Sequence, residues 1–210
     1  AETVAQMVDH AKAINSERVV LVGPDIASDE KETVSAVFAA AAVAGVIAGN
    51  TDPSVPINGA ELTLFGAAGK RLSDNEIDQL VRGGVTPIET VGGVSSPVRG
   101  ITTKTSSGGA ADTTWRELTT ILIVDEVIPT IRTSLRARFA RSKNTAQSRG
   151  AIRSQVVLEL EEMKSREIVD SYGEVKVSAL KSDPTVCLVE FSFTVAHGLN
   201  RIYLTAHITV

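Results

Sequence analysis

The stretch "WRELTTILIVDEVIPTIRTSLRARFA" (115–140) decides how this chain is read. Ile121, Val124, Val127, Ile128, Ile131, Leu135 and Phe139 recur every three or four residues, the period of one helical face. A brief extended entry at Trp115 is expected to lead into a long helix. Pro129 should bend it, because proline lacks the amide hydrogen and crowds the preceding turn. A second helix is expected at 146–167, on Ile152, Val156, Leu160 and Met163. Three strands should follow: "EVKVSAL" (174–180), "VCLVEFSFTVA" (186–196) and a terminal one at 201–209. In the middle strand Cys187, Val189, Phe191, Phe193 and Val195 share a face. In the last, Ile202, Leu204, Ala206 and Ile208 alternate with Arg201, Tyr203, Thr205, His207 and Thr209. The turn His197–Asn200 should join these two as an antiparallel hairpin.

Toward the N-terminus the pattern changes to helix, strand, helix. "ETVAQMVDHAKAIN" (2–15) has helical spacing, and "RVVLVGP" (18–24) reads as a short strand buried on both faces. Asp29 is expected to cap a helix running to Ile47, weakened near its end by Gly45 and Gly49. "NTDPSVPINGAEL" (50–62) is an irregular loop, and "ELTLFGA" (61–67) a short strand or turn. In "LSDNEIDQLVRGG" (72–84), Ser73 and Glu76 form a capping box before the apolar stripe Ile77, Leu80 and Val81. "VTPIETVGG" (85–93) and "VRGITTKT" (98–105) read as two strands. "SSGGAAD" (106–112) reads as a linker, so the domains are drawn as 1–110 and 111–210. The fold class is mixed α/β: a small sheet flanked by helices, then two long helices packed on a mostly antiparallel C-terminal sheet.

Of the 210 residues, 43% are hydrophobic and only 4% aromatic, so the core must be built from Ala, Val, Ile and Leu. A net charge of −4 argues against a dedicated nucleic-acid binder. The single cysteine, Cys187, allows no intrachain disulfide and no cysteine metal cluster. The chain begins at Ala1 without a signal peptide and is expected to be a fragment lacking an N-terminal portion. The apolar stretch "SAVFAAAAVAGVIAG" (35–49) is short of the ~20 residues a membrane span needs, so a buried helix is expected there.

Charge is uneven. Arg132, Arg136, Arg138, Arg141, Lys143, Arg149 and Arg153 occur with no Asp or Glu between Glu126 and Glu159. This basic patch suits a solvated helical face, a surface for a partner protein or, without interleaved aromatics, a weaker nucleic-acid site.

Chemistry is sparse. His10, His197 and His207 are scattered, and no G-x-S-x-G elbow sets a serine beside a base. "GAAGKRL" (66–72) lacks the glycine spacing and the Ser/Thr of a phosphate loop. Cys187 points to an apolar face, where a thiol is inert. No catalytic residue, cofactor or metal is assigned. An unprotected terminal strand suits β-augmentation, in which backbone hydrogen bonds supply the affinity.

Four stretches in serial order resemble the C-terminal half of contractile tail sheath proteins from bacteriophages and related injection machines. They are the alanine-rich helix into "VAGVIAGNTDPSVPINGAEL" (43–62), "LSDNEIDQLVRGGVTPIE" (72–89), "VRGITT" (98–103) and "WRELTTILIVDEVIPTIRTSLRARFA" (115–140). Arg99 and Val98 stand where the family often has a tryptophan before the glycine.

The resemblance implies a non-enzymatic virion-tail subunit, assembled in the host bacterial cytoplasm. Such subunits form six-fold, helically stacked rings around a tail tube, beside baseplate and terminator proteins, and contract to drive the tube through the host envelope. It implies neither membrane insertion nor specific nucleic-acid binding. Strand exchange would use Arg201, Ile202, Tyr203, Leu204, Thr205, Ala206, His207 and Ile208. Independently of the resemblance, the uneven charge suggests that the basic patch meets an acidic one, such as Asp74, Glu76 and Asp78, on an adjacent subunit. Two competing readings are a serine-hydrolase-like α/β fragment and a nucleic-acid module using the patch at 132–153.

Overall fold

The computed structural model describes residues 2–24, 36–62, 71–200 and 205. The chain divides into two compact units: residues 1–51, 55–121 and 198–210 form one, and residues 52–54 and 122–197 form the other.

In the first unit, helix α1 (Val4–Ile14) opens with a capping box between Thr3 and Gln6 and closes on Asn15 in the left-handed conformation. The Asn15 amide then clamps a distant segment: its Oδ1 accepts from Thr105 N and Ser106 N, each at 3.2 Å, and its Nδ2 donates to Ser106 O. Strand β1 (Leu21–Gly23) is shorter than expected, and only Gly23 is buried in it. Among the described strands it pairs with β2 (Val85–Val91) alone. Helix α2 (Ala36–Gly49) runs through Gly45 to Gly49, whereas the expected cap at Asp29 lies outside the described residues. Most of the proposed strand at 61–67 lies outside them too.

Helix α3 (Asp74–Arg82) has the expected capping box, with Glu76 N donating to Ser73 Oγ and Ser73 N to Glu76 Oε2. Its stripe of Ile77, Leu80 and Val81 packs with Met7, Ala11, Val85 and Ile101 to make this unit's core. Strand β2 pairs parallel with β1 and antiparallel with β3 (Val94–Pro97).

Two expectations fail here. The second strand is 94–97, not 98–105: the latter segment makes only one isolated bridge, Ile101 to Glu117. The apparent linker at 106–112 is a hairpin of β4 (Ser106–Ser107) and β5 (Ala110–Ala111). Its turn residues Gly108 and Gly109 have φ of +57° and +84°, which glycine adopts without steric cost and which suits a two-residue hairpin.

Helix α4 (Leu118–Phe139) passes from one unit into the other and continues through Pro129. In the second unit it packs with α5 (Ala146–Ser165). Ile123, Val127, Ile131, Val156, Leu160 and Met163 are buried together. Ile123, which lies off the expected stripe, is fully buried. Gln155 bridges the helices, donating to Ser134 Oγ at 3.1 Å and to Glu159 Oε1 at 2.7 Å.

The remaining strands form a ribbon: β6 (Val169–Tyr172) pairs antiparallel with β9 (Phe193–Val195), and β7 (Lys176–Leu180) with β8 (Asp183–Glu190). Gly173 N donates to Ser192 O between the two pairs. The expected single strand at 186–196 is thus two strands separated at Phe191–Ser192, and β6 was not anticipated. Cys187, Val189, Phe191, Phe193 and Val195 do share a half-buried face. The terminal strand lies outside the described residues, apart from Thr205.

Candidate functional site

Two surfaces of the second unit merit attention, and the first is the basic stretch. Arg132, Arg136, Arg138, Arg141, Lys143 and Arg153 are exposed, and Arg149 is half-buried. The patch is not uniform. Arg149 Nη1 donates to Asn144 Oδ1 at 3.0 Å and to Asn144 O at 3.3 Å, closing the α4–α5 connection. Arg153 Nε donates to Val175 O at 2.9 Å, fastening α5 to the ribbon. Both guanidiniums therefore have local structural partners. Among the described residues, Arg132, Arg136, Arg138, Arg141 and Lys143 make no ion pair, which leaves five cations facing solvent.

The ribbon is the second surface. Among the described strands it has only two members across its width, so each strand has an outer edge. One end of the β8 edge is occupied. Asn144 Nδ2 donates to Pro184 O at 2.7 Å and to Val186 O at 3.3 Å. At the ribbon tip Asp183 Oδ1 accepts from Thr185 Oγ1 and Thr185 N, and those hydroxyl and backbone bonds hold its carboxyl below the usual range. Near β6, the Tyr172 hydroxyl donates to Glu161 of α5. That bond, then burial and the Glu161 charge, raises the tyrosine's pKa. Val186 and Leu188, each about two-fifths exposed, make the outer face of β8 apolar.

In the first unit, α3 presents Asp74 and Asp78 to an open groove of about 600 Å³ that Arg82 and Glu89 also line. Asp78 pairs with Arg82 at 2.8 Å.

The histidines are not brought together. His10 pairs with Glu2 at 3.3 Å, His197 is exposed, and His207 lies outside the described residues. No described group of His, Cys, Asp and Glu is arranged to hold a metal, and no described helix is long and apolar enough to cross a membrane. Cys187 is half-buried on the ribbon's inner face. The residues of the terminal strand, from Arg201 through Ile202, Tyr203 and Leu204 to Ala206, His207 and Ile208, lie outside the description; Thr205 alone is within it. Asn144 was not singled out from sequence. "KNT" ahead of a helix reads only as a turn and cap, and nothing local to it points to Pro184.

Among the described residues, helix-borne charge and a two-stranded ribbon are the surfaces this unit presents. Comparison with known proteins places them. Residues 110–209 match the model of the phage tail sheath C-terminal domain. A tail sheath protein of Bacillus phage SP01 is 28% identical over 98% of this chain. The chain spans 36% of that relative's length. The fold agrees. A sheath tail protein from Listeria innocua superposes with a TM-score of 0.74 at 15% identity, over 87% of this chain and 44% of that one. The sheath of an extracellular contractile injection system in its contracted state gives 0.71 at 14%, over 100% and 62%. Residues 110–209 thus match the phage tail sheath C-terminal domain, and the chain along almost its whole length is similar to a tail sheath protein.

Proposed function

We propose that this chain is the C-terminal portion of a contractile tail sheath subunit. The full-length protein stacks as six-fold rings around a tail tube in the virion tail and shortens to drive the tube through the host envelope. The observation that carries this reading is the match along almost the whole chain to a tail sheath protein. The fold shared with a contracted injection-system sheath supports it, as does that shared with chains of an anti-feeding prophage baseplate. Those neighbours favour self-assembly with baseplate contact; the tube and terminator proteins complete the proposed set of partners.

Within the assembly, the segment Arg201–Ile208 of one copy adds as a strand to the ribbon of another, whose two strands have outer edges that no other described strand occupies. Backbone pairing survives rotation of each subunit body, so contraction proceeds while the links persist. The exposed basic face meets the acidic face of α3 on an adjacent copy in one sheath state. The division at 110/111 has the start of the matched family domain in its favour.

Negative-stain microscopy of the full-length protein beside this 210-residue chain tests the proposal. Hollow tubes with six-fold striation are expected from the full-length protein. Dispersed monomers at every salt and concentration would overturn it.

A further inference from the structure

We infer that Asn144 sets the register of the strand that joins the ribbon, by closing the tip of the β8 edge and leaving pairing to begin at Leu188. The inference rests on the strand-exchange reading above.

In an antiparallel pair each residue turns its N–H and its C=O to the same side. Pro184 and Val186 turn their carbonyls to Asn144 Nδ2, away from β7. Pro184 has no amide hydrogen to offer that side. The carbonyls of both residues on the outer edge are thus taken by one side-chain amide, and Pro184 lacks a donor as well. By alternation, Leu188 and Glu190 turn their backbone groups outward next, and no described strand pairs with them. The β8 edge also suits an incoming strand better than β7. It is longer, eight residues against five, and carries no lysine, whereas β7 begins with Lys176.

The occupant is residues 201–209 of a second copy. Their alternation lets Ile202, Leu204, Ala206 and Ile208 continue the inner face of Cys187 and Val189, with Tyr203, Thr205 and His207 beside Leu188 on the outer face. An open edge would accept such a strand in several registers two residues apart, each keeping its faces. A blocked tip selects one.

Full-length protein with every native cysteine, Cys187 among them, replaced by serine tests this. One copy carries Leu188→Cys; the other carries Tyr203→Cys, Thr205→Cys or His207→Cys. Mixed copies are assembled, oxidised, and the cross-linked pairs quantified. With Asn144 present, one pair should dominate. Asn144→Asp keeps the acceptor for Arg149 but donates nothing to the carbonyls. It should lower the dominant pair about fivefold relative to its neighbour two residues away. Asn144→Ala should do the same without adding charge. An unchanged dominant pair in both variants overturns the register role and leaves strand exchange standing. Absence of any cross-link in assembled tubes overturns both.

Discussion

The Thr86 hydroxyl lies 2.9 Å from Ile101 N and 2.9 Å from Ile101 O, accepting from the first and donating to the second. Both residues are fully buried. A side chain on β2 therefore serves Ile101 as a neighbouring strand would. Thr86→Val preserves the shape and leaves two buried backbone groups unpaired. It should cost about 1–3 kcal/mol, the usual penalty for unsatisfied buried polar groups. Thr86→Ser should retain most of the stability. Urea unfolding followed by circular dichroism checks both, and equal stability of the valine variant would refute this role.

That relationship explains one misreading of the sequence. "VRGITTKT" has the composition of a strand, but the backbone of 101–105 is satisfied by scattered partners. Thr102 N donates to Arg116 O, Thr103 N to Val19 O, and Thr103 Oγ1 bonds both N and O of Ser16. Propensity records what suits a pleated surface; it does not say whether a strand is available to pair. Local signals fared better. The capping box at Ser73 and the helices α1, α3, α4 and α5 lie close to where their periodicity puts them, because the interactions that set them span four residues. β6 escaped notice, since "VDSY" carries too few apolar residues to register. The basic run was legible as charge. That Arg149 and Arg153 serve the fold was not, because Val175 lies twenty-two positions from Arg153.

Gly83 is where α3 meets α1. A Cβ there would sit 2.4 Å from Val8 Cγ2 and 2.9 Å from Gln79 O. Gly83→Ala should destabilise the protein by about 1–3 kcal/mol through overpacking. Val8→Ala in the same chain should return part of that loss, because the backbone contact with Gln79 remains. A double-mutant cycle from thermal unfolding measures the coupling, and strict additivity would show that the two residues do not meet.

Asp183 gives the ribbon tip a pH dependence. Its folded pKa is depressed, chiefly by the Thr185 hydroxyl and then by the Thr185 amide. The tip bonds are therefore fully present above the unfolded value of about 3.9 and are lost as pH falls through the lower, folded value. The Thr185 amide resonance should follow that titration and its hydrogen exchange should quicken at the acid end. In Asp183→Ala both effects should vanish. A Thr185 amide indifferent to acid in the parent chain would contradict the assignment.

The basic face can be tested without disturbing the fold, provided the right arginines are chosen. Arg149 and Arg153 hold Asn144 and Val175, so reversing them would confound assembly with stability. Arg136, Arg138 and Arg141 are exposed and free of described ion pairs. Reversing these three to Glu turns attraction to an acidic neighbour into repulsion. The screening length is about 10 Å at 0.1 M salt, so the effect should be largest at low ionic strength and fade as salt rises. Tubes of the full-length parent should therefore weaken with added salt, while the triple variant should be weaker at low salt and gain or stay level as salt rises. Sedimentation of assembled tubes across a salt series reads this directly. Identical curves for parent and variant would mean that these cations face solvent in every sheath state.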